Sequence, residues 1–195
     1  MLKKGIIGID LAGISRNPSG VAVWLDKKVQ TSLLYTDNQI LESVLRNKPE
    51  IIAIDAPLCV PKQGTLRKAD REMMKKGYRV FPPSFKAMKT LTTRAVKLNR
   101  LISEKGFETI EVHPTSTCKA LSVPLKEYGK IQAILEQIGL NGDHRVCTLA
   151  SHEIDAVIAA LTAYLYCIGE TDAFGDEDEG YIIVPKKQDW RTLTI

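Results

Sequence analysis

Four acids sit where this sequence would be expected to carry none. Asp10 ends the apolar run Gly5-Ile6-Ile7-Gly8-Ile9, and Asp55 ends Ile51-Ile52-Ala53-Ile54. Glu111 interrupts Thr109-Ile110-Glu111-Val112, and Asp155 follows Ile154 in a long apolar stretch near the C-terminus. Short apolar runs of this kind read as strands covered on both faces, where an unpaired carboxylate is costly. Like charges gathered at one end of a sheet need a counter-charge, and a divalent cation is the simplest one. Carboxylate oxygens with no Cys and no paired His among them suit Mg²⁺ or Mn²⁺ rather than Zn²⁺. Two such ions about 4 Å apart would stabilise the attacking and leaving oxygens of phosphodiester hydrolysis and lower the pKa of a bound water. Asp10, Asp55, Glu111 and Asp155 are therefore the candidate metal ligands and catalytic acids; the plainer alternative for each is a capping, turn or hydrogen-bonded structural role.

Two histidines accompany them. His113, two residues after Glu111, shares its strand face, and His152, three before Asp155, shares its helix face. Either can orient a water or carry a proton. His152 joins the catalytic set and His113 the substrate contacts, against the alternative that both are satisfied by backbone groups.

The elements that must position these residues follow from periodicity. After the first strand, Ile14 to Gly20 reads as a turn cluster, Val21 to Leu25 as a second strand and Val29 to Tyr35 as a third, returning antiparallel. Ile40, Leu41, Val44 and Leu45 mark a helix over Asn38 to Arg46, stopped by Lys48-Pro49 before the Asp55 strand. That strand-helix-strand step favours a parallel neighbour through a right-handed crossover. A basic segment over Leu66 to Lys76 closes at Gly77, and Met88, Leu91, Ala95, Leu98 and Ile102 form one face of a further helix, with Lys89, Lys97 and Arg100 elsewhere on it. Beyond the Glu111 strand, Thr115-Ser116-Thr117 caps a short helix holding Lys119, and Tyr128 to Ile138 reads as another. Ser151 serves as N-cap of a helix reaching about Ile168, whose apolar face is Ile154, Val157, Ile158, Leu161 and Leu165. Ala159, Ala160 and Ala163 let it lie close to a sheet. An acidic loop, Gly175 to Gly180, leads to a last strand over Tyr181 to Val184.

The net charge of +4 hides a division. Residues 61–105 carry thirteen Lys or Arg against Asp70, Glu72 and Glu104, so the rest of the chain is net acidic. A local excess of this size suits a polyanion held on one face. Arg67, Arg71, Lys75 and Lys76 are the candidate phosphate contacts, with His113 and Lys119 beside them, although a charge run is more often a solvated helix face. Asp70-Arg71-Glu72 is equally a local ion-pair set. Tyr78, Phe81 and Phe85 lie among these bases, where they can stack on nucleobases or join the core.

At 195 residues with 44% apolar and 26% charged content, the chain reads as one domain over 1–195 with a sizeable core. No window reaches the roughly 20 apolar residues of a membrane span. Met1-Leu2-Lys3-Lys4 and the apolar run after it imitate a signal peptide, but Asp10 interrupts the run early and no cleavage site follows, so a cytoplasmic protein is expected. Cys59, Cys118, Cys147 and Cys167 have neither disulfide nor zinc-finger spacing and read as buried apolar side chains.

The order of three strands, helix and strand, with Asp in the first strand and Asp in the final helix, resembles the ribonuclease H-like superfamily. More closely, Gly8-Ile9-Asp10-Leu11-Ala12, Ile54-Asp55-Ala56-Pro57-Leu58, Asp70-Arg71-Glu72, Phe81-Pro82-Pro83, Glu111-Val112-His113-Pro114 and His152-Glu153-Ile154-Asp155-Ala156 resemble, in order, the motifs of an uncharacterised predicted-nuclease family of that superfamily, domain of unknown function 429. The resemblance covers nearly the whole chain. It implies an α/β fold with a ribonuclease H-like mixed sheet, three antiparallel strands and then parallel ones, flanked by helices and carrying a basic helical insertion at about 61–105 after the fourth strand. It further implies metal-binding acids at the sheet's mouth. Asp10 matches the first-strand acid and Asp155 the helix acid of Holliday-junction resolvase-like relatives. Asp55 stands where the fourth strand brings its acid, a place that resolvase-like enzymes commonly fill with Glu.

Three functions compete. A metal-dependent nuclease acting on DNA or RNA uses the acids and the basic segment together. An ATP-binding protein of the actin and sugar-kinase kind is suggested by Ile7-Gly8-Ile9-Asp10-Leu11-Ala12-Gly13 followed by Gly20-Val21-Ala22-Val23, which resembles the first phosphate loop of those proteins. Against it, such proteins enclose a nucleotide between two domains, and no later glycine-rich adenosine motif is evident. A non-catalytic nucleic-acid-binding module leaves the acids unexplained.

Overall fold

The computed structural model describes residues 5–26 and 28–195; the leader-like Met1 to Lys4 lies outside them. In chain order the elements are β1 (Ile6–Asp10), β2 (Ser19–Leu25), β3 (Lys28–Leu34), α1 (Asp37–Asn47), β4 (Ile51–Asp55), α2 (Lys68–Lys75), α3 (Lys89–Ser103), β5 (Thr109–Val112), α4 (Pro114–Ala120), α5 (Tyr128–Gln137), β6 (Asn141–Gly142), α6 (Ser151–Cys167), β7 (Thr171–Asp176) and β8 (Gly180–Pro185). The strands make one sheet in the order β6-β3-β2-β1-β4-β5-β8-β7. β1, β2 and β3 are antiparallel, whereas β4, β5 and β8 run parallel to β1. The three acid-bearing strands β1, β4 and β5 are thus neighbours, as the sequence leads one to expect.

Both faces of the central strands are apolar, so side chains alternate between two cores. Ile7, Ile9, Ile52 and Ile54 face α1 and α3 together with Ala95, Leu98 and Ile102. Ile6, Ile51, Ala53, Ile110 and Val112 face α4, α5 and α6. A third, smaller cluster joins Ala69 and Met73 of α2 to Ile182 and Val184 of β8, so α2 lies against the distal end of the sheet.

Four expectations about elements need correction. Ser19 and Gly20 belong to β2, because the Ser19 hydroxyl accepts a hydrogen bond from Ala12 N–H at 3.0 Å and Gly20 pairs with Asp10. The N-cap of α6 is Ala150, not Ser151; Glu153 accepts the Ala150 N–H at 3.0 Å and so performs the capping one turn in. α6 is also buried nearly all round, with Ala156, Ala159, Ala160, Thr162 and Ala163 inside as well as the large apolar residues. A helix pressed between a sheet and other helices has no solvent face over most of its length. The acidic stretch after Gly175 is the turn of a hairpin, since Thr171–Asp176 pairs with Gly180–Pro185.

Candidate functional site

Asp10 and Asp55 are directly paired residues on adjacent parallel strands. Paired residues point to the same side of a sheet, and neighbouring strands lie about 4.8 Å apart. Asp10 follows Gly8 on the α6 face, and Asp55 follows Ala53, so both carboxylates face α6. At that separation two charges repel by about 3 kcal/mol at an effective dielectric of 20.

The third acid arrives on α6, and glycine determines how closely. A Cβ on Gly8 would lie 2.1 Å from the carbonyl oxygen of Ala156, and one on Gly20 would lie 1.8 Å from that of His152. Only glycine lets the helix backbone sit this low on β1 and β2. The helix start is held from the side as well: Thr31 donates to Glu153 at 2.7 Å, and Gln132 on α5 donates to the carbonyls of His144 and Cys147 while accepting Leu149 N–H. His152 thereby reaches Asp10, with 2.5 Å between Nδ1 and Oδ2. Asp155, one turn further, accepts a hydrogen bond from the Tyr128 hydroxyl at 3.3 Å.

Electrostatics show that Asp10, Asp55 and Asp155 form one cluster. Asp55 is held well above the ordinary carboxylate range, first by burial and then by the charges of Asp10, Asp155 and Glu111. Asp155 is pushed up to about 6 by burial and by Asp10. Burial raises Asp10 too, opposed by its hydrogen bond and charge interaction with His152. The Tyr128 hydroxyl is pushed up to about 12 by burial and by Asp155, so it stays a donor.

Glu111 is differently placed. It pairs with Ile54, not with Asp55, so it points to the opposite sheet face. There Arg67, with a side chain only 1% exposed, donates to both its oxygens at 2.6 and 2.7 Å, and Leu58 N–H adds a bond at 2.8 Å. The same guanidinium donates to both oxygens of Asp70, at 2.9 and 3.2 Å. Burial works against the charge on Arg67, but its bonds to Glu111 and Asp70 outweigh this and keep it protonated. Arg67, expected as a phosphate contact, is a buried clamp on Glu111 and Asp70 that lines the cleft beside Asp10 and Asp55. Glu111, likewise, has both oxygens engaged from the other sheet face, although it lines the same cleft as Asp10 and Asp55 and its charge is felt at Asp55.

The other candidates are scattered. His113 is half-buried, its Nδ1 2.7 Å from the Ser116 hydroxyl and its pKa pushed down to about 4 by loss of solvent around the ring. It lines, with Asp10, Asp55, Glu111 and the exposed Phe81, a cleft of about 190 Å³ at the end of the sheet. Arg71 donates to the Leu66 carbonyl, and Lys119 donates to that of Gly77 with its ammonium over the Tyr78 ring. Among the described residues no contact of Arg71, Lys75, Lys76 or Lys119 reaches the three aspartates. Tyr128 is the site residue that sequence reasoning read only as the start of a helix. Its spacing from Asp155 carries no signal, because α5 and α6 meet only in the fold.

The donor set fits a hard cation. Asp10 and Asp155 both raise the pKa of Asp55, and Asp10 raises that of Asp155, while His152 is the one basic group set against them on that face, and oxygen ligands of this kind suit a hard divalent cation. Among the described residues, no group of three or more His, Cys, Asp or Glu side chains is spaced to hold a metal ion as it stands, so the three aspartates would have to draw closer around one. Gly8 and Gly20, phosphate-loop positions in the kinase-like reading, are used here for helix packing.

Comparisons agree with this architecture. RuvC of T. thermophilus in complex with Holliday junction substrate superposes with a TM-score of 0.55 at 17% identity, covering 85% of this chain and 96% of that one. A second structure of Thermus thermophilus RuvC gives 0.51 at 18% identity over the same shares. At such identities the likeness establishes the fold. A search of curated proteins gives no significant match. Residues 8–180 match the family described as protein of unknown function (DUF429), and the chain belongs to that family, with a ribonuclease H-like fold.

Proposed function

We propose that this protein is a metal-dependent nuclease that hydrolyses phosphodiester bonds in nucleic acid. The observation that carries the reading is the in-register pair Asp10 and Asp55, joined by Asp155 from α6, with His152 as the one basic group against three carboxylates. Asp10, Asp55 and Asp155 would hold Mg²⁺ or Mn²⁺, which supplies Lewis-acid stabilisation of the phosphate oxygens when bound. Glu111 serves the site from behind, fixing Arg67 and the Leu58 turn that follows Asp55. His152 orients Asp10 through Nδ1, and its Nε2, unpartnered among the described residues, is free to take up or deliver a proton. Tyr128 fixes the rotamer of Asp155. Lys75, Lys76 and Arg71 remain candidate contacts for distant phosphates. The junction bound by the RuvC neighbour supports nucleic acid as the substrate class. Free thiols at Cys59, Cys118, Cys147 and Cys167 suit a cytoplasmic setting.

The test is a panel of labelled branched, duplex and single-stranded DNA and RNA, incubated with Mg²⁺ or Mn²⁺. The parent protein is expected to cleave at least one member, and Asp10→Asn to cleave at least about 100-fold more slowly, since it removes a ligand charge. Equal cleavage by the variant would refute the site. Binding with no cleavage under any condition would favour a non-catalytic module.

A further inference from the structure

We propose that the open groove between α1 and α3 is the track along which a nucleic-acid strand reaches the aspartates; this rests on the nuclease reading above. The groove encloses about 790 Å³, lined among others by Gly13, Ser15, Asn38, Lys89, Thr93 and Lys97. Its inner end is the segment just past Asp10. Arg94 holds that segment in place, donating to the Ala12 carbonyl at 2.6 Å, to the Tyr35 carbonyl at 2.8 Å and to Asp37 at 2.7 Å. One guanidinium thus ties together the loop after β1, the start of α1 and α3, and it neutralises the groove's acid.

The charges left over are Lys89 and Lys97. Both are exposed, and neither has an acidic partner among the described residues. Lys89, Thr93 and Lys97 succeed one another at four-residue spacing, forming one stripe along α3. Eight residues of helix advance about 12 Å, so the two ammonium groups address separate phosphates rather than a single one. Between and opposite them, Ser15, Asn38, Thr90 and Thr93 present hydroxyl and amide donors with no hydrogen-bond partner among the described residues. Spaced cations with neutral donors between them, in a groove separated from the Asp10 and Asp55 cleft by Met88 and Leu91 at the start of α3, match a polyanionic backbone better than a small phosphorylated metabolite.

The test measures binding apart from cleavage. In an Asp10→Asn background, fluorescence anisotropy with the labelled DNA and RNA panel is recorded across a salt series. Lys89→Glu/Lys97→Glu is expected to weaken binding at least tenfold and to flatten the salt dependence by about two charges, with the melting temperature unchanged. Lys130→Glu, on α5, is expected to leave affinity as it was. Unchanged affinity and salt slope in the double variant would overturn the track, as would a parent protein that binds no nucleic acid. Groove-dependent binding without Asp10-dependent cleavage would uphold the track and refute the nuclease reading. Cleavage that needs Asp10 but proceeds normally in Lys89→Glu/Lys97→Glu would do the reverse.

Discussion

The two faces of the sheet meet at one mouth and treat their acids in opposite ways. On one face, Glu111 and Asp70 close around Arg67, and each carboxylate oxygen accepts from a guanidinium nitrogen within 3.2 Å. On the other, Asp10, Asp55 and Asp155 face one another with only His152 and Tyr128 for relief. The first arrangement is complete and holds the α2 segment to β5. The second leaves three carboxylates with one basic neighbour, His152. Residue type does not separate them; partnership does. A similar contrast runs through the basic segment. At the start of α2 the cations turn toward protein groups: Lys62 pairs with Asp178 and Lys68 with Asp176, and Glu179 accepts the backbone N–H of both lysines, whereas Lys75 and Lys76 at its end stay exposed. On α3, Lys89 and Lys97 are left open to the groove.

The contrast can be broken most severely on the closed face. Arg67→Ala leaves Glu111 and Asp70 buried without a counter-charge, and about 3–5 kcal/mol of unfolding free energy is expected to be lost in urea titrations. Lys89→Ala, with nothing buried behind it, is expected to stay within about 0.5 kcal/mol of the parent. A loss that small for Arg67→Ala would mean that the clamp is not structural.

The open face depends on how low α6 sits. Gly20→Ala drives a methyl group against a backbone carbonyl that cannot step aside, and should cost about 1–3 kcal/mol. Metal-dependent cleavage should fall along with it, because His152 and Asp155 ride on the displaced helix. Unchanged stability and activity would mean that the helix can shift without disturbing the aspartates.

Titration sharpens the comparison further. Asp155 has a pKa of about 6 in the folded protein and 3.8 as an unperturbed side chain. The native state therefore binds the proton more tightly, so its contribution to stability is full below pH 3.8 and is lost as pH rises through 6. Mg²⁺ or Mn²⁺ competes with that proton, so the rise in melting temperature on adding metal should be larger at pH 7.5 than at pH 5. Asp155→Asn should reduce this pH dependence, leaving the part due to Asp55 and Asp10; an unchanged dependence would assign the titration elsewhere. The smallest effect belongs to the hairpin turn. Asp178→Asn removes an exposed pair with Lys62 and is expected to change stability by no more than about 0.5 kcal/mol.

Much of this arrangement is readable from local pattern. The apolar runs ending in Asp10 and Asp55, the strand-helix-strand step and the small residues of α6 dictate adjacent parallel strands with acids at their ends and a helix close by. The stop at Lys48-Pro49 is equally local: Lys48 takes a left-handed conformation with φ 45° to end α1. Other features are not local. Phe174 and its neighbours on β7 lie among acids and glycines, so the strand is stabilised by its partner and not by its own composition. Ser151 looks like a cap in sequence, yet the chain enters α6 one residue earlier, where Glu153 can serve Ala150.

The amino-acid sequence alone determined which acids lie at strand ends and how the positive charge divides along the chain, because both follow from residue type and period. Only the tertiary structure decided which acids meet. A shift of one residue in strand register moves a side chain to the other face of the sheet, and the pairing of Glu111 with Ile54 sends it to Arg67 while Asp10 and Asp55 face α6 together. That register is set by contacts between strands far apart along the chain, so it is not written in any one of them.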